Sequence, residues 1–340
     1  MKTFFRIFSL AALILGLSFQ TTSAEQKFIE ASGSYVVDLK VDETFAQGTA
    51  RAREDAKRAA VEQAGLYLQA HSKMVNMHLV EDEVKTVAAH LIKIQEPNEI
   101  SSKPLDGGLL EITVKIKALV ELSDEEVLKT IMSDKESLAN ATERYKNLQQ
   151  EYDALKKQME ELKKNYYSAA PAQQAEIKKS IAQNNRYFEA FLALEEGNNF
   201  YFNHNFQSAI SEYDRAIEIQ PNFAEAYNNR GNANVMLKNY QQAVQDYRNA
   251  IKYNKVDARI HNNLGSIYLI LKNYNEAINE YEQALKLNPN LFDAYYNRAL
   301  AYCYIENYQA ALSDAERAMK LNPSDPDAKN LYSQIAKKLQ

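Results

Sequence analysis

Small and aromatic residues recur every 34 positions in the C-terminal half of this chain. One column of small residues is Gly197, Gly231, Gly265 and Ala299, and two alanine columns are Ala209, Ala243, Ala277, Ala311 and Ala216, Ala250, Ala284, Ala318. The intervening pattern predicts two helices per period, with small residues where the helices cross. A single helix pair cannot bury its own apolar face, so the period predicts a stack of pairs.

Aromatic residues and prolines follow the same period. The aromatics are Phe206, Tyr240, Tyr274 and Tyr308, and the prolines that end the second helices are Pro221, Pro289 and Pro323. These residues closely resemble the tetratricopeptide repeat. The resemblance implies an all-α solenoid over residues 190–340, with a protein or peptide as its partner. The four repeats would be 190–223, 224–257, 258–291 and 292–325, followed by a capping helix at 326–339.

Residues 25–122 carry a different pattern, which predicts an α+β domain. The run Tyr35–Val41 alternates as in a strand. A long helix follows, with Thr44 and Gln47 at capping-box spacing and an alanine stripe along one side. The clearest strand comes last, with apolar positions on one face from Leu110 to Val120. We expect the last strand to form an antiparallel pair.

The helical run from Ala50 to Ala64 is rich in alanine, arginine and glutamate. It resembles the N-terminal domain of flagellar assembly protein T and of related small envelope lipoproteins. The resemblance implies an envelope assembly or interaction domain without catalysis. This chain departs from the lipoproteins because it lacks their lipidated cysteine.

Residues 123–189 predict a helical coiled-coil segment. Tyrosine, leucine and methionine recur every seven positions, at Leu138, Tyr145, Tyr152, Met159 and Tyr166. Ser168–Pro171 breaks this helix, and a second helix with Ile177, Ile181 and Phe188 on one face runs into the first repeat. Two arrangements fit the pattern, namely an antiparallel hairpin within one chain or a homodimer through the coiled coil.

The first 24 residues predict a signal peptide. Lys2 and Arg6 precede the apolar run Ile7–Leu17, and Thr22–Ala24 supplies a small-residue cleavage site. The run is shorter than the roughly 20 residues of a spanning helix, and an uncleaved anchor is the alternative. We therefore predict export to the periplasm, with secretion as the alternative, and no membrane span in the mature form.

Composition excludes several functional classes. Without Lys2 and Arg6 the chain keeps 38 of its 40 basic residues against 45 acidic ones, a net charge of −7, which argues against a nucleic-acid partner. The single cysteine, Cys303, excludes an internal disulfide framework. The five histidines lack metal-ligand spacing, and no phosphate loop, nucleophile elbow or dinucleotide fingerprint is present. We predict no catalytic residues, no metal and no cofactor.

The first helix of each repeat is expected to line a concave face. Asn229, Asn263 and Asn297 hold equivalent positions there, and their amides offer both donors and acceptors to a peptide backbone. The full set of predicted peptide-binding residues is Asn229, Asn263, Asn297, Asn228, Asn262, Asn232, Asn198, Arg259, Tyr201, Tyr296 and Tyr304. Arg259 and Arg298 are the nearest candidates for a carboxylate ligand, although solvated arginines fit the pattern better. Two interpretations remain open. The asparagines either line the bottom of a binding groove, or they form a polar, solvent-exposed surface that binds no ligand.

These observations predict a multidomain protein that binds rather than catalyses. The predicted function is an exported bacterial envelope adaptor or scaffold, with a peptide or protein segment on the concave face of the repeats. The alternative is a permanent structural subunit of an envelope or motility-type assembly, with no exchangeable ligand.

Overall fold

The computed structural model describes residues 26–74, 84–85, 88, 92–121 and 135–339. The predicted signal peptide lies outside these residues. The chain divides into two compact units with the boundary between Lys178 and Lys179. None of the described helices is both long and apolar enough to cross a membrane.

The first unit contains a three-stranded antiparallel sheet in the order β1-β3-β2. The strands are β1 (Gln26–Asp38), β2 (Ile92–Leu105) and β3 (Leu109–Glu121). The register places Ile29 opposite Ala118 and Ile92 opposite Val120, with an irregularity between Gln95 and Glu99. The predicted antiparallel pairing is confirmed, and β3 is the central strand.

Helix α1 (Phe45–Met74) packs its alanine stripe against one face of the sheet. Ala52, Ala56, Ala60 and Ala64 are fully buried, as are Ile112 and Val114 of the facing strand. The backbone of α1 comes so close that a Cβ at Gly33 would lie 2.3 Å from the Ala52 carbonyl oxygen. The predicted capping box is present, since the Thr44 N–H donates to Gln47 Oε1 at 3.1 Å and the Gln47 N–H to Thr44 Oγ1 at 3.2 Å.

Helix α2 (Lys135–Ser168) belongs to the first unit and turns part of its heptad face toward α1. Tyr152 and Met159 are buried, and the Tyr152 hydroxyl donates to Asp55 Oδ1 of α1 at 2.8 Å. Lys163 lies 2.6 Å from the buried carboxylate of Glu43. Further polar contacts join Lys156 to Asp55, Arg58 to Asp153 and Tyr167 to Asp38. Residues of the seven-residue repeat, such as Tyr152 and Met159, are therefore buried by contacts within the chain.

The chain then turns at Ser168–Ala170 into α3 (Pro171–Phe202), as the break in the pattern predicts. The Gln174 side chain donates to the Tyr166 carbonyl at 3.1 Å, and the Lys178 ammonium lies 5.9 Å from the Tyr166 ring centroid. The start of α3 thus folds back along the end of α2. Its C-terminal part supplies the first helix of the first repeat.

The second unit is a stack of helix pairs. After α3, the helices are α4 (Phe206–Ile219), α5 (Ala224–Met236), α6 (Tyr240–Tyr253), α7 (Ala258–Ile270), α8 (Tyr274–Leu287), α9 (Phe292–Tyr304), α10 (Tyr308–Leu321) and α11 (Pro326–Lys338). Helices α5, α7 and α9 begin at the predicted repeat starts. Leu331 and Ile335 of α11 pack against Ala311 and Ala315 of α10.

Candidate functional site

The candidate site is the first-helix face, which we define as the side of the second unit formed by the end of α3 and by α5, α7 and α9. On a helix, residues four apart lie on one side. Asn228, Asn232 and Met236 therefore form one stripe along α5, and equivalent stripes run along the other first helices. This is the face that the sequence predicts to be concave.

Asparagine side chains join each first helix to the one before it. Asn229 donates from Nδ2 to Asn198 Oδ1 at 2.9 Å. Asn263 donates to Asn228 Oδ1 at 3.2 Å and to Asn232 Oδ1 at 3.4 Å. In the fourth repeat, Asn297 donates to Ser266 Oγ at 3.5 Å. The side chains of Asn229, Asn263 and Asn297, which were predicted to bind a peptide, thus donate hydrogen bonds to the preceding repeat.

A tyrosine from the second helix completes each of these junctions. The hydroxyl of Tyr213 donates to Asn198 Oδ1 at 2.9 Å, and that of Tyr247 to Asn232 Oδ1 at 2.7 Å. Tyr281 reaches Ser266 Oγ at 3.3 Å. Burial raises the pKa of Tyr247 and of Tyr281 above the usual value, so both hydroxyls stay protonated. Each repeat junction is therefore fixed by an asparagine, an acceptor and a tyrosine.

The remaining amide groups differ in what they offer a ligand. Asn229 is only 7% exposed, and its Oδ1 accepts from Asn228 Nδ2 at 3.0 Å. Asn262 is half-buried, and its Oδ1 is a buried acceptor without a hydrogen-bond partner among the described residues. Because this oxygen is itself buried, a ligand on the surface would reach it only after the Asn262 side chain moves.

The predicted arginines have partners within the chain. Arg259 is exposed and holds Asp257 through two contacts, Nε to Oδ1 at 3.1 Å and Nη2 to Oδ2 at 2.8 Å. Arg298 donates to Asp314 at 2.7 and 2.8 Å, and Asp314 is buried. The interpretation of Arg298 as a solvated side chain is wrong, because the fully formed pair with Asp314 fixes it between α9 and α10.

A second buried ion pair was not recognised from the sequence. Arg230 contacts the fully buried Asp246 at 2.6 Å and the exposed Asp214 at 2.5 Å. Asn234 donates to the second oxygen of Asp246 at 3.0 Å. Arg230 and Asp246 are 16 positions apart, as are Arg298 and Asp314. That repeated spacing of opposite charges is the signal that would have revealed both pairs.

The three predicted tyrosines lie on the first helices but in different settings. Tyr201 is half-buried, with its ring 5.3 Å from that of Phe206. Tyr296 stacks on Phe292, and burial together with Asp327 and Asp325 raises its pKa. Tyr304 is 61% exposed and stacks on Tyr274 at 4.8 Å. Tyr304 therefore presents a ring that is held in place yet open to solvent.

His261 and Cys303 have structural surroundings. His261 is buried, and its Nδ1 lies 2.7 Å from Glu280 Oε2, which fits the predicted packing role. Cys303 is half-buried, and burial raises the pKa of its thiol. In the part of the chain that the structure describes, no cluster of three His, Cys, Asp or Glu side chains has the arrangement of a metal site.

Comparison with protein families identifies the repeats. The family described as "TPR repeat" matches residues 197–238 and 265–303, and two descriptions of the tetratricopeptide repeat match 224–255 and 292–325. The second unit therefore contains tetratricopeptide repeats, as predicted, and none of the matched families is an enzyme family. The resemblance of the N-terminal region to flagellar assembly protein T stays a prediction.

Several solved structures are similar to part of the chain. A crystal structure of MamA is 20% identical, with a TM-score of 0.41, and the match covers 42% of this chain and 83% of that one. The tetratricopeptide domain of Arabidopsis OM64 is 27% identical, covering 34% and 94%, with a TM-score of 0.33. The first such domain of Spaghetti (RPAP3), bound to an HSP90 peptide, is 25% identical, covering 34% and 92%, with a TM-score of 0.34. No curated protein matches the sequence.

Proposed function

We propose that this protein is an exported, non-enzymatic adaptor of the bacterial envelope that binds a protein or peptide segment on its first-helix face. Tetratricopeptide repeat proteins bind peptide or protein partners, and this chain has four such repeats. Export rests on the basic and apolar character of residues 1–24. The first unit would attach the protein to an envelope assembly, in keeping with its resemblance to flagellar assembly protein T.

The observation on which the proposal rests is the exposure of large apolar residues on the first-helix face. Phe202, Met236, Ile270 and Tyr304 end the four first helices and are 45%, 50%, 50% and 61% exposed. Large apolar side chains that are exposed at the same position of every repeat favour an interaction site over chance exposure of single residues. The hydrogen-bonded asparagines beside them hold the helices in register. The face is therefore prearranged for a ligand.

Site-specific photocrosslinking in cells tests the proposal without disturbing the fold. A photoreactive phenylalanine analogue would replace Tyr296 or Arg259 on the first-helix face, or Gln245 on the second helix α6 as a matched exposed control. We expect a protein adduct from positions 296 and 259 and none from 245. Adducts from 245 alone would contradict binding on this face.

Cell fractionation tests the localisation separately. The mature protein is expected in the envelope fraction, with Glu25 as its first residue after removal of residues 1–24. A full-length chain recovered from the cytoplasm would contradict export, whatever the crosslinking shows.

A further inference from the structure

The two edges of the sheet in the first unit differ in how they are protected. An edge strand exposes backbone N–H and C=O groups that can pair with another chain, and proteins commonly block such edges with prolines or bulges. The β2 edge carries both devices, since Pro97 lies within its irregularity and Pro104 lies near its end. The β1 edge has neither, because all 13 residues from Gln26 to Asp38 pair with β3 in one unbroken register.

The contacts at the C-terminal end of β1 show which of its backbone groups point away from the sheet. The Asp38 N–H donates to Glu43 Oε2 at 2.8 Å, and the Val36 carbonyl oxygen accepts from Lys163 Nζ at 3.0 Å. In an antiparallel pair, residues with outward backbone groups alternate with residues that bond to the neighbouring strand. The outward groups of β1 therefore belong to its even-numbered residues.

Four of these residues form the open edge, which we define as the outward backbone groups of Phe28, Glu30, Ser32 and Ser34. All four side chains are exposed, and Phe28 is 57% exposed. Among the described residues, no hydrogen bond outside the β1–β3 ladder reaches the backbone of any of the four. The open edge thus offers four N–H donors and four carbonyl acceptors in a row.

A cleft between β1 and α2 continues the line of the open edge. Its walls include Val36 of β1, Leu109 of β3 and Tyr167 of α2. Val36 is 39% exposed and Tyr167 is 53% exposed, so the cleft presents apolar surface that a ligand would cover. A chain that follows the open edge beyond Ser34 therefore reaches a place for an apolar side chain.

Charge does not select the ligand of this cleft. The charged residues that line it are Lys156, Lys163, Lys164, Glu160 and Asp38. Lys156 lies 2.9 Å from Asp55, and Lys163 lies 2.6 Å from Glu43. With these two partners counted, positive and negative charges nearly balance, so the backbone groups of the open edge decide what binds.

A row of unpaired backbone groups is matched by another extended backbone. Added strands bind to sheet edges in this way, with main-chain hydrogen bonds for affinity and alternate side chains for specificity. An added strand also continues the two faces of β1, where Ile29 and Ala31 are buried while Glu30 and Ser32 are exposed. A matching segment therefore has about seven residues, alternates apolar with polar side chains and contains no proline.

A second copy of this chain is a less suitable partner, because α1 lies directly over β1. A Cβ at Gly33 would lie 2.3 Å from both the Ala52 carbonyl oxygen and the Ala56 nitrogen. Antiparallel pairing of two β1 strands would place both α1 helices on the same side of the joined sheet. Neighbouring strands lie about 4.8 Å apart, whereas helix axes in contact need about 8–10 Å. A single extended segment brings no helix and avoids this collision.

We propose that the open edge binds an extended segment of a partner protein as an added strand next to β1, with an apolar side chain of that segment in the cleft. The inference goes beyond the proposed function, because it concerns the first unit and depends neither on export nor on the first-helix face. It gives the attachment of the first unit a structural form.

N-methylated peptides test the strand pairing on the native full-length chain. The probe is a fluorescent peptide of about nine residues with alternating valine and threonine, long enough to span the open edge. One version is N-methylated at the valines and another at the threonines, and only one of these two sets of N–H groups can face β1. We expect fluorescence anisotropy to show that one version binds like the unmodified peptide and the other at least about tenfold more weakly.

Proline variants of the two edges locate the contact. Ser32→Pro removes an outward N–H of the open edge without breaking the ladder to β3, and it should weaken binding of the unmodified peptide at least about tenfold. Ser102→Pro, at an exposed position two residues before Pro104 on the β2 edge, is the matched control and should leave binding unchanged. Circular dichroism would show that both variants keep the helical content of the native chain.

The outcomes separate this inference from the proposed function. If the unmodified peptide does not bind, if both methylated versions bind equally, or if Ser32→Pro binds normally, the open edge is not the contact. Adducts from position 296 would still support binding on the first-helix face. If Ser32→Pro loses helical content, the two methylated peptides decide the question on the native chain. A dimer of the native chain that Ser32→Pro dissociates would make a second copy the occupant and overturn the proposal.

Discussion

The glycines of the first three repeats are explained by the tyrosine rings that lie on them. An added Cβ at Gly265 would lie 2.8 Å from Cε1 of Tyr281, and Gly231 meets Tyr247 at the same distance. In the fourth repeat Ala299 replaces the glycine, and Ala315 stands where the tyrosine would be. Glycine lowers helix stability, so its use here reflects the space that the ring takes.

Replacing Gly265 by alanine tests this pairing. We expect Gly265→Ala to lower the free energy of unfolding by about 1–3 kcal/mol, because the methyl group overpacks against the ring. In a Tyr281→Ala background the same change should cost little, since the ring is gone and alanine favours the helix. Chemical denaturation of the four proteins measures both effects. An equal cost in both backgrounds would rule out the steric explanation.

Arg230 provides an internal comparison of buried and exposed ion pairs. It contacts Asp246, which is fully buried, and Asp214, whose side chain is 55% exposed. Asp246→Ala removes the partner of a partly buried charge and should cost about 3–5 kcal/mol of unfolding free energy. Asp214→Ala should cost no more than about 1 kcal/mol. Similar losses from both variants, measured by denaturation, would contradict the assigned role of burial.

Sequence alone identified residue types at these positions but not their partners. Asn229, Asn263 and Asn297 were recognised as a row on the first helices. Their hydrogen bonds to the preceding repeat depend on how closely adjacent helices pack, which a periodic pattern does not specify. The partner of Arg298 was missed for the same reason, although the repeated 16-residue spacing between arginine and aspartate indicates the pair with Asp314.

At the scale of elements, the turns inside the repeats adopt the left-handed conformation without glycine. The φ angles are 57° at His204, 62° at Lys238, 63° at Lys272 and 61° at Glu306. Each residue follows the C-terminal end of a first helix and lets the chain reverse into the second. Left-handed backbone costs a residue with a Cβ about 1–2 kcal/mol.

Glycine at such a turn should therefore stabilise the stack. We expect Lys272→Gly to raise the free energy of unfolding by about 0.5–1 kcal/mol, after the larger entropy of glycine in the unfolded chain is offset. Gln283→Gly, at an exposed position inside α8 of the same repeat, should lower it by about 1 kcal/mol. The midpoints of thermal unfolding would show the two shifts, and a loss of stability in both variants would contradict the prediction.

Asp257 caps helix α7, and its carboxylate makes the stability of the protein depend on pH. Its carboxylate accepts from the Arg259 N–H at 2.9 Å. Burial acts to raise the pKa of Asp257, but the hydrogen bonds and charge of Arg259 outweigh it, so the pKa lies below the usual value. The stability gained from this charge is therefore present above the unfolded pKa of about 3.9 and is lost as the pH falls through the lower folded pKa.

Two variants of Asp257 separate the cap from the charge. Asp257→Ala should cost about 0.5–2 kcal/mol at neutral pH through loss of the cap. Asp257→Asn keeps an acceptor for the Arg259 N–H but does not titrate in this range. Its stability relative to the native chain should rise as the pH falls through the folded pKa of Asp257. Denaturation at a series of pH values measures this, and a difference independent of pH would exclude the charge effect.

Elements were predicted more fully than their contacts. The helix starts at Ala224, Ala258 and Phe292, the capping box at Thr44 and the buried face of β3 were all read from local pattern. Helix α2 was also recognised, but its seven-residue repeat is the same whether the partner is a second helix or the α1 surface. Contacts such as that of Tyr152 with Asp55 distinguish these cases, and such contacts are a property of the folded chain.

At the scale of the whole molecule, the contacts of α2 bear on the oligomeric state. A dimer through the coiled coil would need Tyr152 and Met159 at the interface between two chains, but both are buried within one chain. Glu43 adds to this attachment, because it accepts from Tyr35 at 2.8 Å and from the Asp38 N–H at 2.8 Å while it pairs with Lys163. Releasing α2 would break the Lys163–Glu43 ion pair and would expose the buried side chains of Tyr152 and Met159 to water.

We therefore expect the protein to sediment as a monomer over a wide range of concentration. Lys163→Met together with Tyr152→Ala would weaken the attachment of α2, and this variant should show a larger frictional ratio or concentration-dependent association. Lys157→Met, at an exposed position on α2, serves as the control and should sediment like the native chain. A concentration-independent dimer of the native protein would show that the heptad face has a partner besides the one within its own chain, and the homodimer would then replace the intramolecular arrangement.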